Sequence, residues 1–159
     1  MSFTINTNFN KYQVSAYPGM QSKPDQPWQV EVNNIIAGET LIPGQGVYLN
    51  GSGLYVKPTT APLALDVRGV VFRRVFDSSV DGSNQYLINT NFELFTAGNI
   101  FVTVGVNVLR GQIAGMSFDG SGKWVIGSED QALVFVYEDD ALADTIVSIK
   151  TVGQIKAFP

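Results

Sequence analysis

Apolar residues in this chain fall into short runs and two-residue alternations, and no stretch sustains the 3.6-residue period of an amphipathic helix. From Trp28 onward the pattern predicts strands over Gln29 to Ile36, Gly46 to Leu49, Leu54 to Lys57, Asp66 to Phe76, Phe92 to Phe95, Ile100 to Val104, Gln112 to Phe118, Lys123 to Ile126, Leu133 to Tyr137 and Thr145 to Val152. Most are rich in Val, Ile, Phe or Tyr, the residues that suit a pleated, half-buried surface. The gaps between them carry turn residues drawn from the chain's 16 glycines and 7 prolines. Two gaps are specific. Asn50-Gly51-Ser52-Gly53 and Asp119-Gly120-Ser121-Gly122 each separate apolar runs, and Asn-Gly or Asp-Gly supplies the positive φ angles of tight hairpins. Ten short strands of this kind predict an all-β (mostly β) fold, a compact β-barrel or β-sandwich of short antiparallel strands. Only Asp139 to Asp144, with Ala141, Leu142 and Ala143 inside it, has the composition of a short helical turn.

Residues 1–27 break the pattern. They are rich in Asn, Gln, Ser and Pro, and Phe3, Phe9, Tyr12 and Tyr17 recur without a core-forming period. Pro18, Pro24 and Pro27 donate no backbone hydrogen bond and favour extended or turn conformations. The division expected is an extended N-terminal arm over 1–27 and a single β domain over 28–159. Within the domain, Gly44-Gln45 through Asn50-Gly51-Ser52-Gly53-Leu54-Tyr55-Val56 parallels Gly111-Gln112 through Asp119-Gly120-Ser121-Gly122-Lys123-Trp124-Val125, with two residues inserted in the second copy. Either a β-unit has been duplicated, or two hairpins share the same turn chemistry.

Composition narrows the chemistry. A chain of 159 residues fits one domain, enough to bury roughly 70% of its unfolded surface. Fourteen acidic against ten basic residues leave a net charge of -4 and a pI near 4.6, so the overall field repels phosphate backbones and argues against direct nucleic-acid binding. Without cysteine there is no disulfide framework and no thiolate, and without histidine the commonest general base and metal ligand is missing. Met1 to Phe9 has no charged-then-apolar signal pattern, and runs such as Leu133 to Tyr137 are far shorter than the about 20 residues of a membrane helix. A soluble, cytoplasmically made protein with no membrane partner is the expectation.

The densest polar cluster, Glu138-Asp139-Asp140 with Asp144, has oxygen ligands for a hard cation but not the spacing of an EF-hand loop; a solvated acidic turn is the expected use, with no metal site. The loop Asp77 to Asn84 reads as a plain connection. Arg73-Arg74, inside an apolar strand, must place one arginine on the same face as Val71 and Val75, as at an interface or in a carboxylate pair; otherwise the strand is an edge with both heads in water. No glycine-rich phosphate loop and no activated serine stands out, so no catalytic residue and no cofactor is assigned. Trp28 and Trp124 have the chemistry of a sugar-stacking platform as well as of core or interface packing.

The order of these features resembles the structural cement proteins of tailed bacteriophages. Tyr17-Pro18-Gly19-Met20 stands where that family carries a Gly-centred arm segment. Gln21 to Val32 matches its polar stretch before the first strand, and Leu41-Ile42-Pro43-Gly44-Gln45-Gly46-Val47 is similar to its lead-in to a hairpin. Asp66-Val67-Arg68-Gly69-Val70-Val71 precedes a long loop. Gly98 to Val104, the Asp119 to Gly122 hairpin and the strand Ala132 to Tyr137 complete the likeness, which leaves 139–159 without a counterpart.

The resemblance implies a capsid decoration protein without catalysis, part of the virion. It would bind the outer surface of the viral head, often as a homotrimer, and clamp the lattice of the major capsid protein. Phe3, Phe9, Tyr12, Tyr17, Trp28, Arg73 and Arg74 are the expected capsid or oligomer contacts, because aromatic and arginine side chains dominate interface hot spots. The competing reading is a carbohydrate-binding or adhesin-like module of a viral fibre using Trp28 or Trp124; a two-carboxylate glycosidase is a third, with no spacing to single out its pair.

Overall fold

The computed structural model describes residues 17–23, 25–60, 67–72, 85–127 and 135–152. Ten strands run through them: β1 (Gln29–Glu31), β2 (Gly46–Leu49), β3 (Tyr55–Val56), β4 (Val67–Val71), β5 (Leu94–Ala97), β6 (Asn99–Thr103), β7 (Ile113–Met116), β8 (Trp124–Ile126), β9 (Phe135–Tyr137) and β10 (Ile146–Thr151). They form two five-stranded antiparallel sheets, ordered β1-β5-β4-β2-β3 and β6-β10-β9-β7-β8. The all-β expectation holds, in sandwich-like form; neither sheet closes into a barrel.

Each predicted strand has a counterpart among the described residues, with differences at the ends; residues 66 and 73–76 of the strand predicted over Asp66 to Phe76, and 133–134 of Leu133 to Tyr137, lie outside them. Gln29 to Ile36 is cut after Glu31 because Asn33 and Asn34 turn, Asn34 at a φ of 59°, a left-handed value that asparagine tolerates. Beyond that turn, Ile36 and Ala37 make only isolated bridges to Asn91 and Tyr55. The helical turn expected over Asp139 to Asp144 is not formed. Ala141 instead exchanges backbone hydrogen bonds with Val108 at 2.9 and 3.0 Å, and this pairing holds the segment extended until it turns at Asp144, φ 64°. A bridge that places Val108 in the core outweighs the weak helical preference of three residues.

Both hairpin loops form as their turn residues dictate. The Asn50 carboxamide oxygen accepts from the amides of Ser52 and Leu54 at 2.9 and 3.0 Å, and the Asp119 carboxylate accepts from Ser121 at 2.9 Å, the side-chain turn mimicry typical of these residues.

The two sheets are copies of one plan, which decides the question the hairpins raised in favour of a repeated unit. Matching strands in sheet order pairs β1 with β6, β5 with β10, β4 with β9, β2 with β7 and β3 with β8. The irregular hydrogen bonds repeat with them. Gly38 donates to Tyr55 O at 2.8 Å as Gly105 does to Trp124 O at 2.8 Å; Gly44 to Val71 O at 2.8 Å as Gly111 to Tyr137 O at 2.9 Å; Asn89 to Ala37 O at 2.8 Å as Asp144 to Val104 O at 2.7 Å. The side chains of Gln45 and Gln112 accept from the amides of Ile42 and Leu109 at 2.8 and 2.7 Å, and the hydroxyls of Thr90 and Thr145 each donate 2.6 Å to Leu87 O and Leu142 O.

Packing follows the same plan. The eight buried side chains of the first core, Ile35, Ala37, Leu41, Val47, Tyr55, Val71, Phe92 and Leu94, correspond to Val102, Val104, Val108, Ala114, Trp124, Tyr137, Val147 and Ile149 of the second. The second core is larger: it adds Ile100, Met116 and Phe135 of its own sheet, and Val70 and Phe95 of the first sheet also pack into it, so the sheets share one interior. Trp124, 1% exposed, donates from its indole nitrogen to Gly44 O at 3.0 Å and so ties the second core to a turn of the first half.

Candidate functional site: a strap across the two halves

Residues 17–23 and 25–28 lie across the body as a strap. Its first part adds to the outer edge of β6: Gly19 donates to Phe101 O at 2.7 Å, Phe101 to Met20 O at 2.8 Å and Ser22 to Asn99 O at 3.1 Å, with Gln21 bridged to Ile100. An exposed sheet edge is a row of unpaired backbone groups, and here the chain covers its own.

Sequence places glycine where strap and body touch. A Cβ on Gly19, which has a φ of 83°, would lie 2.6 Å from Pro43 Cβ, and one on Gly44, at 90°, would meet Pro18 in the same way. Pro18-Gly19 and Pro43-Gly44 are thus pressed face to face. Tyr17 to Met20 and Leu41 to Val47, distant in sequence and both part of the likeness described above, are two sides of one contact.

Farther along, a polar latch holds the strap to the second sheet. Lys23 donates to Glu138 Oε1 at 2.8 Å, the Ser148 hydroxyl donates to Glu138 Oε2, and Ser22 and Ser148 share a hydrogen bond. The Glu138 side chain is 10% exposed against 53% for Lys23. Burial opposes ionisation of Glu138, but hydrogen bonds from Lys23, Ser148 and Asn99 and the Lys23 charge outweigh it and hold the carboxyl below its ordinary pKa. The hydrogen bond to Glu138 and its charge correspondingly raise Lys23.

The strap ends in an aromatic column on the first half. Trp28, half-exposed, stacks on Phe72 at 6.0 Å between centroids and 14° between planes, and Phe72 stacks on Phe95 at 6.0 Å and 10°. Phe72 and Glu138 occupy the same place in the repeat, since Phe72 donates its amide to Glu93 O at 2.9 Å as Glu138 does to Ser148 O at 3.0 Å. The two halves have diverged at this position: one receives the strap on stacked rings, the other on a carboxylate.

Of the contact residues expected from sequence, Tyr17 and Trp28 stand at the two ends of the strap, both half-exposed. Phe3, Phe9, Tyr12, Arg73 and Arg74 lie outside the described residues. Trp124 is buried, so no sugar can reach its ring face, and Tyr55 beside it in sequence is 6% exposed. The acidic cluster is dispersed. Glu138 serves the strap, Asp140 accepts from the Arg110 amide at 2.8 Å and Asp144 pairs with Lys123 at 2.6 Å. Among the described residues no three acidic side chains converge as a cation site would require. Lys23, Ser148 and Phe72 were not singled out from sequence, and Glu138 was read only as part of an acidic turn, because nothing local marks distant residues as partners.

Comparison with known proteins agrees with this geometry. The family model of the structural cement protein (E217 gp24/Pam3 gp6) matches residues 5–152, a span that contains the strap, both sheets and the latch. Among curated proteins no sequence matches. A solved chain from the capsid of Myoviridae phage XM1 superposes with a TM-score of 0.57 at 18% identity, over 80% of this chain and 84% of that one, and so shares the fold. With the family model matched from residue 5 to residue 152, through the strap and both sheets, this chain belongs to the phage structural cement proteins.

Proposed function

We propose that the protein binds the outer surface of a phage head and holds neighbouring copies of the major capsid protein together, without catalysis and without a cofactor. The observation that carries this reading is the family match over 5–152, nearly the whole chain. The strap adds a physical rationale. Gly19 to Lys23 are hydrogen-bonded to the body, which fixes beside β6 the point where the N-terminal arm is joined. An arm and a body that touch different capsid subunits are linked sites, and their combined avidity exceeds either affinity by roughly 10²–10⁴.

In this reading Phe3, Phe9, Tyr12, Tyr17 and Trp28 are aromatic anchors, Arg73 and Arg74 contact the capsid or a second copy, and the working unit is a homotrimer, residues 1–27 being the arm and 28–159 the body. Clamping stabilises the shell by mass action, since the cement binds the assembled lattice and not its separated subunits. Co-sedimentation of the purified protein with expanded, undecorated capsids of its own phage tests the reading. Saturable binding at a fixed ratio to the capsid subunit is expected, and no binding at any salt concentration would refute it. Analytical ultracentrifugation of the free protein separates a trimer from a monomer.

A further inference from the structure

Large apolar side chains are exposed at many points, but comparison of the halves sorts them. Val106 corresponds to Glu39, Ile126 to Lys57, Ile146 to Asn91 and Val152 to Ala97, so these exposed positions tolerate polar or small residues. Two positions stay large and apolar in both halves: Ile42 with Leu109, 43% and 60% exposed, and Leu87 with Leu142, 60% and 68% exposed.

Local structure does not require them. The turn at Ile42 is closed by the Gln45 side chain and the one at Leu109 by Gln112, while Leu87 and Leu142 contribute their carbonyls to Thr90 and Thr145. In each half the two side chains flank a bridge with one buried member, Leu41 paired with Tyr86 or Val108 paired with Ala141, and strand alternation turns them away from the core residue beside them. Each half therefore offers solvent the same pair of aliphatic side chains on the same backbone frame. Charged groups stand beside both pairs: Arg110 and Asp140 next to Leu109 and Leu142, and Lys123, ion-paired with Asp144, in a surface recess shared with Ile42.

We infer that these two patches are matched docking surfaces, each received by the same apolar recess on one of two neighbouring copies of a single lattice subunit. A surface presented twice, in two orientations and on one frame, fits a partner that is itself present twice. This inference rests on the capsid-binding reading and extends it: one protein molecule bridges two subunits through its two halves.

The test uses the full chain on expanded, undecorated capsids. The double variants Ile42→Ser with Leu87→Ser and Leu109→Ser with Leu142→Ser change only exposed side chains, and unchanged thermal melting confirms that each is folded. Losing one of two linked sites should weaken binding by roughly 100-fold in either variant. As a control, Val106→Ser with Ile126→Ser should bind as the unaltered protein does. If the unaltered protein binds while both patch variants bind equally well, the inference falls and the capsid-binding reading stands. Loss from only one patch, or an equal loss in the control, also overturns it. Failure of the unaltered protein to bind removes both.

Discussion

Trp124 joins two roles in one side chain, filling the second core against Phe135 and donating to Gly44 O in the first half. Trp124→Ala is expected to destabilise the protein by about 3–5 kcal/mol, as loss of a large buried aromatic does. Trp124→Phe keeps most of the packing but leaves Gly44 O without its donor, a loss of about 1–3 kcal/mol. Urea denaturation with an unchanged slope would report both; a Phe variant as stable as the original would show that the indole hydrogen bond contributes nothing. From sequence alone core or interface packing was the commoner fate expected of this tryptophan, with sugar stacking as an alternative. Its burial depends on Met116, Phe135 and the Gly44 turn, contacts made by chain segments that no local pattern connects. Glu138 was hidden for the same reason: an acidic run reads as a solvated turn until Lys23 and Ser148 are brought to it.

At the scale of elements, the strap is the part of the fold with a separable energetics. Its amides at Gly19, Ser22 and Phe101 should be protected from hydrogen exchange, and Gly19→Ala, which forces a Cβ into Pro43, should release them while the amides between β10 and β6 stay protected. Protection should also follow pH. Because Glu138 is depressed when folded, its contribution is present above its unfolded pKa, ordinarily about 4.3, and is lost as pH falls through the lower folded value. Lys23 is raised, so its contribution persists up to its unfolded pKa and is lost as pH rises through the higher folded one. Strap protection, corrected for intrinsic exchange rates, should therefore be level through neutral pH and fall in acid. Glu138→Gln should remove the acid limb; an unchanged acid limb would assign the effect to another group.

Elements were the most legible part of the sequence. Alternation and β-branched residues place the strands, and Asn50-Gly51 and Asp119-Gly120 place both hairpins, because these signals act within a few residues. Strand ends were less legible, as at Asn33-Asn34, where side-chain chemistry and bridging to distant residues decide together. The docking of Tyr17 to Met20 on Pro43-Gly44 was also beyond sequence reasoning: the glycines mark close approach but not the surface approached.

The whole molecule is a repeated five-stranded unit whose halves share an interior and are bound by one strap. The paired hairpins gave the repeat its only visible trace in the sequence. The rest of it lies in the correspondence of Gln45 with Gln112, Thr90 with Thr145 and Tyr55 with Trp124, positions that keep their hydrogen bonds or burial while most neighbours have changed. Removing residues 1–16 spares every residue that makes the strap and latch hydrogen bonds described above, and the shortened protein should bind undecorated capsids more weakly. A cut after Pro24 would also remove the β6 edge partner and confound folding with binding. Equal capsid affinity for the full chain and the chain lacking 1–16 would take the arm out of the clamping mechanism.

The measurement that bears most directly on the cement role is the temperature at which capsids rupture, followed by calorimetry on undecorated heads with and without saturating protein. Ligand linkage requires that a protein binding the assembled lattice and not its separated subunits raise that temperature, by an amount that grows with protein concentration. A higher rupture temperature that rises with added protein is the predicted result; saturable binding with no change in rupture temperature would contradict a cement role.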